Sequence, residues 1–110
     1  MELNEISFNV NATLSYYVRL QELTALNVAN VSNEGYVPKE LNFEEFLSNL
    51  NKTMDVKQSL ELATFTSSDN SIDLDNQVAQ SELNSMRFSE LTEVFNRYLS
   101  LYNTALNKGR

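Results

Sequence analysis

The sequence predicts an all-α fold with two long terminal helices and a short irregular segment between them. Three observations carry this expectation. Only Gly35, Pro38 and Gly109 break helices by type in 110 residues, so long stretches can stay helical. Apolar residues recur every three or four positions from Phe88 to Ala105. A second helical pattern, from about Asn9 to Val31, stops just before Gly35 and Pro38. The length suits one small domain, organised as 1–36, 37–72 and 73–110.

In the N-terminal element, Val10, Leu14, Tyr17 and Val28 form one stripe, and Tyr16, Leu20 and Leu23 another. Two stripes leave the helix without one clean wet face. The first eight residues carry Leu3, Ile6 and Phe8 among acids, which fits an extended arm or a ragged helix start. Gly35 suggests a left-handed cap or a turn with positive φ, and Pro38 biases Val37 to an extended backbone. In the middle segment, Leu41, Phe43, Phe46, Leu47 and Leu50 have helix-compatible spacing, whereas Thr64 to Ser71 reads as loop.

The C-terminal helix is expected to open at Ser71 or Asp73. Asp75 is placed to favour the positive end of the helix dipole. Continuing to about Asn107, it would be roughly 50 Å long. Phe88, Leu91, Phe95, Tyr98, Tyr102 and Ala105 form a seam of coiled-coil spacing. With Leu83, Met86, Val94, Leu99, Leu101 and Leu106 beside it, the apolar arc spans about 220°, wider than one partner helix buries. Ser85, Ser89, Thr92, Asn96, Ser100 and Asn103 complete the circumference. Such a helix belongs in an assembly whose neighbours cover what one chain leaves bare.

Composition excludes several functions. Fifteen acids against eight bases give a net charge of −7, unsuited to nucleic acid or an anionic membrane surface. Without His or Cys the commonest base, nucleophile and soft metal ligands are missing. There is no phosphate loop or dinucleotide fingerprint. Asp69, Asp73 and Asp75 hint at a calcium loop, but Leu74 and Gln80 occupy the positions where one needs Gly and Glu. Helix capping is the better reading. Neither an enzyme nor a cofactor nor a small-molecule substrate is expected.

The stretch from Leu26 to Tyr36 resembles the N-terminal signature of flagellar rod, hook and hook-associated axial proteins. That signature is an amphipathic helix ending in Asn-Ile-Ala-Asn, a short linker with Thr-Pro, then Gly-Tyr. Asn27, Ala29, Asn30, Gly35 and Tyr36 match it, Val28 stands for Ile, and Asn33-Glu34 replaces Thr-Pro. Asn70, Asp73 and Asp75 resemble the Asn-x-Val-Asp opening of the C-terminal helix in short rod proteins. Asn84 and Met86-Arg87-Phe88 fall where those proteins carry Asn and Leu-Arg-Tyr, and Gln77 replaces a common Glu. Glu40-Leu41-Asn42-Phe43 is similar to the Asp-Ile-Asp-Phe of proximal rod proteins.

The resemblance implies a structural rod subunit whose terminal helices pair as an α-helical hairpin and pack against neighbouring subunits. Leu14, Tyr17, Leu83, Phe88, Leu91, Phe95, Tyr98, Leu101 and Tyr102 are the residues expected to pack. Implied partners are further copies, other rod proteins, the adaptor joining rod to membrane ring, and the flagellar type III export gate. The implied location is the periplasmic rod of the basal body. Export through that gate agrees with an N-terminus lacking the basic and apolar regions of a Sec signal. A sibling at another rod level, or an acidic helical adaptor or secretion chaperone, are the alternatives.

Overall fold

The computed structural model describes residues 2–68 and 72–108. Helix α1 covers Leu3–Ala29, α2 Phe43–Thr53, α3 Val56–Ala63 and α4 Leu74–Lys108. Strands β1, Lys39–Leu41, and β2, Thr64–Thr66, form a small antiparallel ribbon. The fold is all-α in class, with α1 and α4 packed as a hairpin. Gln21 meets Ser81, Asn27 meets Gln77, and the start of α1 lies beside Tyr98 and Tyr102, so the two helices run antiparallel. No helix among the described residues is long and apolar enough to cross a membrane.

The start of α1 is helix from Leu3 onward, not an extended arm. Phe8 packs against the core and Ile6 is half-buried, which draws the first turns into the helix. At the other end Asn30 caps the helix, its backbone N–H and its Nδ2 both donating to the Leu26 carbonyl at 3.1 and 2.8 Å. Gly35 does not take positive φ, contrary to expectation. Asparagines make the turn instead. The Asn33 N–H donates to the Asn30 carbonyl, and Asn33 Oδ1 accepts from the Gly35 N–H at 3.2 Å.

The middle segment is more regular than the sequence suggested. Its helical stretch is split between α2 and α3 at Met54, which adopts the left-handed conformation with φ 57°. Asn42 caps α2 by accepting from the Glu45 N–H, and Asp55 caps α3 by accepting from the Gln58 N–H, each at 3.0 Å. Thr64–Thr66, expected as loop, pairs with β1, Leu41 facing Thr64 and Lys39 facing Thr66. The ribbon is extended by hydrogen bonds from the Asn42 N–H to the Ala63 carbonyl and from the Ser67 N–H to the Pro38 carbonyl. These pairings close a loop of some twenty residues, a signal no local window contains.

Asp73 opens α4: its Oδ1 accepts from the Asn76 N–H at 3.3 Å and its carbonyl from the Gln77 N–H at 3.0 Å. Asp75 sits in the first turn. Asn70, also expected at this start, lies outside the described residues, as do Asp69 and Ser71.

The buried apolar core comprises Ala12, Tyr16 and Leu23 of α1 with Leu41, Phe46, Leu50 and Ala63. Every one of these precedes β2. The Tyr16 ring meets Phe43 and Phe46 at 5.0 and 5.3 Å between centroids. Complete burial of Phe46 alone stabilises by about 2–3 kcal/mol. Ser59 is also fully buried, its hydroxyl donating to the Asp55 carbonyl, so α3 lies close without an orphaned polar group. Helix α4 adds only Asn84 to the buried set. Its aromatic seam therefore supplies no part of the single chain's innermost core.

Candidate functional site

The motif at the end of α1 is organised by Asn27, which is only 2% exposed. Its Oδ1 accepts from the Tyr36 hydroxyl at 2.8 Å and from the Lys39 N–H at 3.1 Å. Its Nδ2 donates to the Lys39 carbonyl at 3.0 Å and, at a weaker 3.4 Å, to Gln77 Oε1 on α4. One buried amide thus joins α1, the linker, β1 and α4, with both its oxygen and its nitrogen satisfied. Tyr36 holds the linker against α1 through that hydroxyl. Asn30 is half-buried and bonds back to its own helix, Ala29 is exposed, and Gly35 lies in the outer part of the turn.

Extended toward its N-terminus, the seam of α4 continues through Asn84, Ser81 and Gln77 at the same three- and four-residue spacing. Those three residues face α1. Gln21 Nε2 donates to the Ser81 hydroxyl at 2.6 Å, and Asn84 Nδ2 approaches Gln21 Oε1 at 3.5 Å. The hairpin is closed here by neutral hydrogen bonds, each worth about 1 kcal/mol net. Sequence reasoning did not assign Gln21, Gln77 or Ser81. Continuing the seam backwards was the signal that could have found them. Asn84 is 1% exposed, yet its Oδ1 has no hydrogen-bond partner.

Beyond Asn84 the seam turns aromatic. Phe95 and Tyr98 stack with centroids 6.5 Å apart, and Tyr98 and Tyr102 at 6.4 Å. Leu83, Leu91, Phe95 and Tyr98 are half-buried in the single chain, while Phe88 and Tyr102 lie at the exposed margin. Leu101 is 71% and Val94 61% exposed. On α1, Leu14 and Tyr17 are half-buried.

A furrow of about 540 Å³ runs between α1 and α4, with Val18, Ala25 and Phe88 among its apolar walls. Ser85 and Ser89, read from the sequence as part of a polar circumference, line it too. Their small side chains leave room beside Phe88. Shallower grooves continue it past Leu14 and Leu60 on one side and past Thr92 and Leu101 on the other. The surface is broad and mostly apolar, edged by hydroxyls and by the Arg19–Glu22 ion pair at 3.1 Å. Comparison with protein-family models and with curated proteins gives no match to this chain.

Proposed function

We propose that this chain is a structural subunit of the bacterial flagellar basal-body rod, with FlgB, the proximal rod protein, as the member it most resembles. The observation that carries the reading is the Asn27 hub. The motif positions that prompted the resemblance, Asn27 and Tyr36, are joined by a 2.8 Å hydrogen bond that fixes the exit of the chain from α1. A rod element needs that exit held rigidly, because torque passes along helices only if their connections do not swivel. Support also comes from α4, whose outer half offers Val94, Leu101 and Leu106 to neighbours. The work of the protein is mechanical and not catalytic.

On this reading the neighbours are further copies, other rod proteins and the adaptor to the membrane ring. The chain reaches the periplasmic rod through the flagellar type III export gate. The test is deletion of the gene in its source bacterium and electron microscopy of detergent-extracted basal bodies. Membrane rings without rods, with motility restored by the wild-type gene, are expected. Complete rods in motile deletion cells would overturn the proposal and leave an acidic helical adaptor or chaperone as the reading to pursue.

A further inference from the structure

We infer that a cleft between α1, β1 and α4 binds a small organic carboxylate, its oxygens taken by the guanidinium of Arg87 and the hydroxyl of Tyr16. The inference goes beyond the structural role proposed above and does not rest on it. The cleft lies on the side of the α1–α4 seam opposite the furrow and holds about 300 Å³, at the lower end of what small-molecule sites enclose. The buried Leu23 and Leu41 give it an apolar floor, and most of its other lining is polar.

Tyr16 supplies the first observation. Only 7% of the residue is exposed, and its ring is fixed against Phe43 and Phe46. Its hydroxyl makes no hydrogen bond among the described residues, although a buried phenol ordinarily finds a partner. Nor is the oxygen sealed in, since Asn84 Oδ1 is the one enclosed side-chain atom without a partner among those residues. A donor held rigidly by the core thus opens onto the cleft with its bonding capacity unused. Arg87 supplies the second observation. It lines the same cleft, and its charge opposes the rise that burial imposes on the Tyr16 phenol, which places the two groups together. Arg19 and Arg97 are each paired with a glutamate of their own helix, whereas Arg87 has no ion pair among the described residues. A guanidinium presents paired N–H groups in the fork that a carboxylate accepts, and the phenol adds a further donor from α1.

Lys39 and Glu40 are the other charged residues of the lining. Alternation along β1 sets Lys39 on the face of the buried Leu41 and Glu40 on the opposite face. The cleft is therefore locally cationic in a chain of net charge −7, so an anion held here is drawn by the cleft and not by the chain as a whole. The apolar floor calls for a carbon chain behind the anionic group, which inorganic phosphate lacks. Because the lining comes from α1, β1 and α4, an occupant also ties α4 to the rest of the fold.

Titration of the full chain with sodium hexanoate at constant ionic strength, followed by proton–nitrogen NMR, tests this. Saturable movement of the Arg87 and Gln80 side-chain signals is expected, with a dissociation constant in the millimolar range. The thermal midpoint should rise with occupancy. Arg87→Gln changes an exposed side chain, and Tyr16→Phe keeps the ring in the core; the same spectra show that both remain folded. Each should weaken binding by about tenfold or more, as loss of a hydrogen bond to a charged group requires. Arg97→Gln, outside the cleft, should bind like wild type. Three results would each overturn the inference: shifts that never saturate, an Arg87→Gln chain that binds like wild type, or inorganic phosphate binding as tightly as hexanoate. The last would leave only a general attraction for anions. None of these outcomes depends on whether deletion cells build rods, so the two proposals fail separately.

Discussion

At the scale of single residues, the hub at Asn27 and the cap at Asn30 make a sharp contrast. Both are asparagines of one motif, three positions apart. Replacing Asn27 with Ala strands the Lys39 N–H and carbonyl and the Tyr36 hydroxyl together. The expected loss is about 2–3 kcal/mol, against about 0.5–1 kcal/mol for Asn30→Ala, where water can replace the amide. Urea unfolding of the two variants measures the difference, and equal losses would show that the hub adds nothing to an ordinary cap. Tyr16 supplies a second residue-scale prediction. Burial raises its phenol above the ordinary 10.0, with the neighbouring Tyr17 adding to the rise and Arg87 opposing it. The folded state therefore keeps this proton at pH values where the unfolded chain has lost it. Its contribution is fully present below 10.0 and drains away as pH rises through the folded value. Tyr16→Phe keeps the ring contacts and removes the titration. The stability gap between wild type and Tyr16→Phe should be flat below pH 10.0 and shift in favour of the variant above it. Parallel curves across that range would remove Tyr16 from the account of alkaline unfolding.

At the scale of elements, this chain puts its left-handed residue and its linker glycine in different places. Met54 ends α2 at φ 57° with 59% of its surface exposed, while Gly35 has an ordinary φ and a would-be Cβ there would meet Asn33 Oδ1 at an unstrained 3.8 Å. Met54→Gly should therefore raise stability by about 0.5–1 kcal/mol by relieving the left-handed strain. Gly35→Ala should raise it by about 0.4–1 kcal/mol by stiffening the unfolded chain. Thermal midpoints that fall in either variant would contradict the corresponding backbone argument. The same two positions explain what the sequence could convey. Helices α1 and α4 were legible because their signals are local: apolar spacing of three and four, an acidic start at Asp73, and an end near Asn30. Gly35 misled because asparagine side chains made the turn that a glycine usually makes. The β1–β2 ribbon was illegible because three-residue strands have too little pattern, and their pairing depends on α2 and α3 bringing Thr64 back to Leu41. The make-up of the core was illegible for another reason. Phe46 and Phe88 look equally apolar in sequence, and only the fold of α2 and α3 onto α1 decides that Phe46 is enclosed while Phe88 is left at the furrow.

At the scale of the whole molecule, stability and assembly reside in different parts of the chain. The molecule is elongated, with principal extents of 64, 29 and 15 Å, and its buried apolar residues all come from α1 and the segment preceding β2. The last turns of α4, from Ser100 to Lys108, are exposed throughout. Their helix persists because it continues a longer one, in which each added residue closes one more hydrogen bond without a new nucleus. Ending the chain after Leu99 should thus change the free energy of unfolding in urea little, by less than about 1 kcal/mol, since it removes only marginal contact between Tyr102 and the start of α1. Phe46→Ala, by comparison, empties a fully enclosed site and should cost about 3–5 kcal/mol. On the proposed reading the truncated chain should nevertheless fail to assemble, because the exposed Leu101 and Leu106 are gone. Two results would join the functions again: a truncation that unfolds the protein, making the tip a structural member, or a truncation that still assembles, making the exposed apolar end of α4 surface without a partner. A stable chain that no longer assembles is the outcome that the separation of core from seam requires.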